Sequence, residues 1–333
     1  MEKRALNHHT LFSIVIPLFN EEEVLDALFE RLTALVARLP VRAEVILVND
    51  GSRDRTLEIA TRRVLADPVF RLVDLSRNFG HQMAVSAALS LVRGQVVAIL
   101  DADLQDPPEL LLPMLERWSA GIDVVYGQRR QRKGETPFKK LSASIFYRIL
   151  THLSSTDIPR DTGDFRVMDR KVVDALVKMP EHRRFLRGMI AWLGFRQEAF
   201  LYDREPRAAG ETKYPLRKMI RFSLDGIFSF SMKPLRWMAI LGFWMTLFGF
   251  LWVLFWVVTR LLFPEIFLPG IATTLATIGL LFGINFFFLG ILGEYIGLIF
   301  LNVQGRPHFI IREVICAAAE EASPPDGNTH ELL

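Results

Sequence analysis

Two stretches of this chain contain no charged residue, Trp237 to Thr259 and Ile266 to Gly293. Each is longer than the roughly 20 residues that a helix needs to cross a bilayer core. The link between them, RLLFPEI, is short, so the pair reads as a two-helix transmembrane hairpin with spans at about 237–259 and 268–299. Lys213, Arg217, Lys218, Arg221, Lys233 and Arg236 precede the first run and Arg306 and Arg312 follow the second, whereas Arg260 is the link's only lysine or arginine. By the positive-inside rule both flanks face the cytoplasm. The N-terminal MEKRALNHHT is polar and lacks the apolar core of a secretory signal. A cytoplasmic domain fastened to the inner (plasma) membrane is expected.

The residues before the first run have a different texture. FSIVIP (12–17), AEVILVND (43–50), FRLVDLS (70–76), QVVAILDAD (95–103) and DVVYG (123–127) are short and rich in Val and Ile. Helical patterns separate them: Glu21 to Arg38, Asp54 to Ala66, Gly80 to Val92 and Pro108 to Ala120. Such alternation predicts an α/β domain over 1–212 with a mostly parallel, Rossmann-like sheet. Residues 213–236 mix cations with Ile, Phe and Met as interfacial amphipathic helices do. Residues 302–333 follow the spans. There FIIREVI (309–315) reads as an edge strand, pairing with the main domain or with a neighbour, and the tail after Cys316 reads as disordered. The single cysteine excludes an internal disulfide framework, and a net charge of +3 is too small to argue for nucleic acid.

In parallel sheets ligands bind beyond the carboxyl ends of strands. Three polar clusters lie at such ends: Asn20-Glu21, Asp50-Gly51-Ser52 and Asp101-Ala102-Asp103. Residues i and i+2 of a strand share a face, so Asp101 and Asp103 can hold one hard cation, Mg²⁺ or Mn²⁺, and leave positions for phosphate oxygens. Asp50 can accept from a base N–H or a ribose hydroxyl, while Ser52 and Asp54 are better placed to cap the next helix. There is no G-x-G-x-x-G, G-x-x-x-x-G-K-[ST] or G-x-S-x-G, and no clustered Cys/His set. Between Arg129 and Lys140, RRQRKGETPFKK carries six cations and one Glu. Near a membrane that run can contact a lipid phosphate or stay solvated.

Together IVIPLFNEEEVL, VNDGSRDRT, SRNFGHQMAVSAAL, LDADLQDPPE, DTGDFRVMDR, the GETKY stretch and the paired spans resemble GT-A-fold glycosyltransferases of family 2. The branch resembled is the polyprenyl-phosphate glycosyltransferases, which include dolichol-phosphate mannose synthases and bactoprenol glucosyltransferases, and the likeness runs from about Phe12 to Arg312. It implies that Pro17, Asn20, Glu21 and Asp50 line the nucleotide pocket. It sets Asp101, Asp103 and Gln105 at the donor diphosphate and metal, and Asp164 at the position of the proposed catalytic carboxylate. Arg129, Lys140 and Ser144 match positions that hold the lipid phosphate, with Lys140 where the family often has Arg. Arg207 and Lys213 should contact phosphates from the stretch that closes over the site. The paired spans favour the bactoprenol type, and relatives of that type form homo-oligomers, a tetramer among them.

The expected reaction is inverting transfer of a hexose, glucose first, from a UDP-sugar to undecaprenyl phosphate. GDP-mannose, UDP-N-acetylglucosamine or a UDP-aminoarabinose derivative are the alternative donors. A processive polysaccharide synthase should carry Q-x-x-R-W, but Met114 stands where Gln is needed before Arg117-Trp118. A non-catalytic membrane scaffold would not need Asp101, Asp103 and Asp164 together.

Overall fold

The computed structural model describes residues 3–130, 162–182, 184–203, 233–263 and 270–317. They fall into two compact units, one holding the described residues up to 203 and from 306 on, the other those from 233 to 305.

The first unit is built on one sheet. Its strands are β1 (Leu11–Leu18), β2 (Arg42–Asn49), β3 (Phe70–Leu75), β4 (Val96–Ile99), β5 (Val124–Arg129), β6 (Thr162–Asp169), β7 (Gln197–Tyr202) and β8 (Ile311–Cys316). Their order is β7-β5-β6-β4-β1-β2-β3-β8. β1 pairs in parallel with β2 and β4, β2 with β3, and β5 with β7. β6 and β8 run against the other six. Strand order reverses at β1, with β2 and β3 stepping to one side and β4 to the other, so a crevice opens beyond the carboxyl ends of β1 and β4.

Central strands covered on both faces must be apolar on both, and Phe12, Ile14, Val15 and Ile16 of β1 are fully buried. The helices are α1 (Leu25–Arg38), α2 (Thr56–Ala66), α3 (His81–Leu89), α4 (Leu111–Ser119), α5 (Arg170–Val177) and α6 (Leu186–Trp192). α1 turns Leu25, Leu28, Phe29, Leu32 and Leu35 inward at helical spacing, and Phe29 meets Phe70 of β3 edge-on at 5.1 Å. Each such buried side chain contributes roughly 1.5–3 kcal/mol.

Two differences from the sequence reading matter for the site. The apolar run into Asp101 was expected to be strand as far as residue 103, but β4 stops at Ile99. After the last pairs with β1 and β6, Leu100 N donates once more to Val15 O (3.0 Å) and the chain then turns, with Leu104 left-handed at φ 56°. Asp101 and Asp103 are therefore turn residues, and strand alternation does not govern where they point. Second, β6, β7, α5 and α6 lie in a region to which the pattern of apolar residues assigned no element.

The second unit holds α7 (Lys233–Leu262) and α8 (Gly270–Val303). Large apolar side chains such as Phe243, Phe248, Phe282, Phe286 and Phe300 stand exposed along both helices. Among the described residues one helix, Thr277–Val303, is long and apolar enough to cross a membrane, and Trp237–Trp252 is a shorter apolar stretch. These helices do not by themselves establish the expected two-span hairpin. The expected amphipathic segment lies outside the described residues up to 232, as does the tail from 318.

After α8 the chain rejoins the first unit as β8, antiparallel to β3, so the strand expected at 309–315 pairs within its own chain. Arg312 donates to Asp74 Oδ2 (2.8 Å) and to Ser76 O (2.9 Å), and Asn49 Nδ2 holds Asp74 Oδ1 (2.7 Å). Asp74 is almost wholly buried, so removing a charged donor leaves an under-compensated carboxylate. Arg312→Ala is expected to cost about 1–3 kcal/mol in denaturant unfolding of the purified protein, with Arg312→Lys recovering part of it.

Candidate active site

The loops after β1 and β2 are laced together. Asn20 takes a left-handed backbone (φ 56°) that its short polar side chain tolerates. Its N–H donates to Ser52 Oγ (3.0 Å) and its Oδ1 accepts from Arg53 N (2.8 Å). Glu21 N donates to Thr56 Oγ1 (2.8 Å), and Asp54 accepts from Glu22 N (3.2 Å) and Thr56 N (3.0 Å). Asn20, Glu21, Glu22, Glu23, Val24, Arg53 and Asp54 line a cleft of about 470 Å³. Pro17 is buried at the end of β1. Val15 O takes a hydrogen bond from beyond β4 and Leu18 O one from Asp50 N, so alternation turns residue 17 toward β4, past that strand's last pair. A proline without an N–H costs little there.

Asp50 follows β2, almost fully buried, and both its oxygens accept from the loop before α3, Oδ1 from Phe79 N (2.7 Å) and Oδ2 from Gly80 N (3.0 Å). Burial pushes its carboxyl above the usual range, against the pull of those two bonds. Gly51 makes the close approach possible: its φ is 64°, and a Cβ there would lie 2.6 Å from Asn78 N. Asp50 thus braces the residues that present His81.

The centre of the site comes from one register. Antiparallel β4 and β6 pair as far as Ile99 with Arg166, and just beyond that last pair Asp101 and Asp164 both approach His81 Nε2, at 3.6 and 3.2 Å. Asp164 is nearly buried and ringed by donors. Arg187 Nε reaches its Oδ1 (2.8 Å), while Gln82 Nε2 (2.9 Å), His81 Nε2 (3.2 Å) and Arg187 Nη2 (3.3 Å) reach Oδ2. Burial alone would raise its carboxyl, but the Arg187 charge, the bonds from His81 and Arg187 and nearby Arg166 hold it well below the ordinary carboxylate range. Burial works against the His81 cation too, yet Asp164 and Asp101 outweigh it and raise that imidazole.

Asp101 is the opposite case. Burial, with Asp164, Asp106 and Asp103 adding like charge, lifts its carboxyl to about 6 despite His81. Its Oδ1 is sealed from solvent without a hydrogen-bond partner, and His81 Nε2 stands 3.6 Å away. Asp103 Oδ1 accepts from Gln105 N (3.2 Å) within the turn. No cluster of three or more His, Cys, Asp or Glu suited to a metal occurs among the described residues. A pair of carboxylates with one orphaned oxygen fits a hard cation whose other ligands come from a diphosphate.

The remaining expected residues divide. Arg129 ends β5 beside Gly163, where a Cβ would lie 3.3 Å from Arg129 Nη2 and 3.7 Å from Asp106 Oδ2. Lys140, Ser144, Arg207 and Lys213 lie outside the described residues. His81, Gln82, Arg187, Asp106 and Tyr202 had no role in the sequence reading. His81 and Gln82 sit inside a stretch it quoted, whereas Arg187 carries no local signal at all.

Residues 13–177 match the family model described as glycosyl transferase family 2. The chain is 46% identical over 309 residues to the uncharacterized glycosyltransferase YkcC of Bacillus subtilis, covering 92% of this chain and 95% of that one. It is 34% identical over 301 residues to a bactoprenol glucosyl transferase of Shigella phage SfII, covering 90% and 97%. Among solved structures, glucosyl-3-phosphoglycerate synthase from Mycobacterium tuberculosis, in complex with Mn²⁺, UDP-glucose and phosphoglyceric acid, overlaps 66% of this chain and 78% of its own at 21% identity and a TM-score of 0.45. The strand-end site, the GT-A sheet and the full-length relatives agree: the chain is a glycosyltransferase and belongs to glycosyltransferase family 2.

Proposed function

We propose that this enzyme transfers a hexose, glucose first, from a UDP-sugar to a polyprenyl phosphate such as undecaprenyl phosphate, at the cytoplasmic face of the membrane. The observation that carries the reading is the pairing of opposites where the turn after β4 meets β6. A buried, unpartnered Asp101 oxygen lies against a cationic group of Arg187 and His81 gathered on Asp164. A nucleoside diphosphate needs both, a cation held by carboxylates and nearby cationic donors for its oxygens. Likeness to bactoprenol glucosyl transferases along nine-tenths of the chain supports the lipid acceptor. We read α7 as a second span beside α8, because it runs unbroken for 30 residues and has no charge from Trp237 to Thr259. Self-association of the spans into a homo-oligomer belongs to the same reading.

Mg²⁺ or Mn²⁺, held by Asp101 and Asp103, would offset the charge that builds on the departing nucleoside diphosphate. The cleft lined by Asn20 and Glu21 receives the nucleotide, and Pro17 and Asp50 are read as further contacts of that nucleotide. Arg129 receives the acceptor phosphate, with Lys140, Ser144, Arg207 and Lys213 expected to join it. A phosphate monoester with a second pKa of about 6 is largely ionised at neutral pH, so attack on the anomeric carbon needs no strong base. Asp164 is suited to a different task. Its lone pairs are engaged and its proton affinity is low, so it holds Arg187, His81 and Gln82 in place. One displacement on these terms inverts the anomeric carbon.

The test is transfer of radiolabelled sugar from a panel of UDP- and GDP-sugars to undecaprenyl phosphate by the detergent-purified full chain. A lipid-linked product is expected with Mg²⁺ or Mn²⁺ and lost in EDTA; failure to bind any nucleotide would sink the reading. Asp103→Ala should lower transfer about 100-fold or more while UDP still binds. Asp164→Asn should lower the rate yet keep an acidic limb between about pH 5 and about pH 9, because the acceptor phosphate, with its pKa of about 6, and Asp101 both titrate there. A limb that vanished in Asp164→Asn would instead mark Asp164 as the proton acceptor.

A further inference from the structure

Beside the Asp101–Asp164 pair lies a second polar group that the proposed reaction does not yet use. Asp106 sits three residues beyond Asp103 and is fully buried. Tyr202, at the end of β7 and almost as buried, donates its phenol O–H to Asp106 Oδ1. Tyr202 is the register partner of Arg129, and Arg130 N donates to Tyr202 O (3.0 Å). The phenol oxygen also takes a hydrogen bond from Arg129. Burial first, and then Asp106, push the phenol well above its ordinary range, so it remains an O–H donor to Asp106.

Two glycines make room for this group. A Cβ on Gly127 would meet Phe165 Cδ1 at 2.6 Å and Tyr202 Cε1 at 3.0 Å, so only glycine lets those rings close in, edge-on at 5.7 Å. A Cβ on Gly163 would stand between Arg129 Nη2 and Asp106 Oδ2, at 3.3 and 3.7 Å. Four segments thus converge on one guanidinium: the turn after β4, the end of β5, the start of β6 and the end of β7. Arg129 Nε is nevertheless sealed from solvent with no hydrogen-bond partner among the described residues. A guanidinium presents its donors in a fixed plane, so holding one edge aims the other.

We propose that Asp106 and Tyr202 are positioning residues for the acceptor: Asp106 fixes the Tyr202 hydroxyl, and that oxygen holds the Nη side of Arg129 so that its Nε edge is offered to an oxygen of the incoming lipid phosphate. The proposal rests on the reading of Arg129 as a phosphate contact and adds what aims it. Because Asp106 shares its turn with Asp101 and Asp103, the diphosphate turn and the acceptor contact are parts of one rigid piece. Lysine at position 129 would keep the charge but lose the fork that Tyr202 holds.

The experiment compares full-length wild type with Tyr202→Phe, Asp106→Asn, Arg129→Lys and Arg129→Ala. It measures the KM for undecaprenyl phosphate, the KM for the sugar donor, UDP affinity by calorimetry, and direct binding of undecaprenyl phosphate in detergent. Tyr202→Phe removes only the hydroxyl and Asp106→Asn only the charge, so both should fold. Each is expected to raise the acceptor KM, and to weaken lipid binding, about ten-fold or more, with donor KM and UDP affinity near wild type. Arg129→Lys should behave like them. Weakened acceptor binding in Arg129→Ala with wild-type binding in Tyr202→Phe and Asp106→Asn overturns the inference and leaves the Arg129 reading standing. Wild-type acceptor binding in Arg129→Ala overturns both. Parallel loss of UDP affinity and lipid binding in Tyr202→Phe marks a merely structural role and overturns the inference.

Discussion

A carboxylate buried in the centre of an enzyme is costly unless donors surround it, and Asp164 is surrounded. Arg187 arrives from α6, His81 and Gln82 from α3, and Asp164 itself from β6, so three elements far apart in sequence meet on two oxygen atoms. Gln82 also accepts from Leu186 N (3.0 Å), which ties the start of α6 back to α3. Arg187 donates in turn to Thr162 O (3.0 Å) and fixes the entry to β6. Arg166, two residues along the same strand, spans back to Gly163 O (2.9 Å) and Asp164 O (3.2 Å). Without the anion at 164 this set of cations would repel one another inside the fold. Protonating it has the same consequence. A depressed carboxyl contributes stability above its unfolded pKa and loses it only as pH falls through its folded value, so the cluster holds through the neutral range.

That fixed anion gives the neighbouring Asp101 its character. One carboxylate lies on β6 and the other in the turn after β4, and the hydrogen-bond donors have all gone to the first. Asp164 is ionised and satisfied, while Asp101 is left with a sealed oxygen and a raised carboxyl. Environment alone separates two chemically identical groups into a held anion and a carboxyl with an open oxygen. The same economy recurs at Asp50, whose two oxygens are spent on backbone N–H groups to hold the loop that delivers His81.

Much of this was legible in the sequence, for a physical reason: period-two apolar runs and the polar residues that end them are local. Five strands, the four helices between them, and the placing of Asn20, Asp50, Asp101 and Asp103 at strand ends all follow from local pattern. What was not legible depends on register. Nothing near Arg187 announces that it will reach Asp164, because that contact exists only once β6 has turned antiparallel beside β4. The partner of β8 was open for the same reason, since an edge strand's sequence does not name the strand it joins. The premature end of β4 shows the converse error. VVAIL is uniformly apolar to Leu100, but β4 leaves the ladder at Ile99 while β1 and β6 run on past it, and the aspartates that follow belong to a turn.

If Asp164 is an anchor and the acceptor phosphate attacks the sugar directly, the reaction is a single displacement at one face of the anomeric carbon. The anomeric configuration of the lipid-linked product, read from its proton NMR coupling, tests this most directly. An α-linked nucleotide-sugar donor is expected to give a β-linked product. An α-linked product would require two successive displacements or attack on the face the leaving group departs from, and would contradict the single in-line displacement and the account of the site built on it.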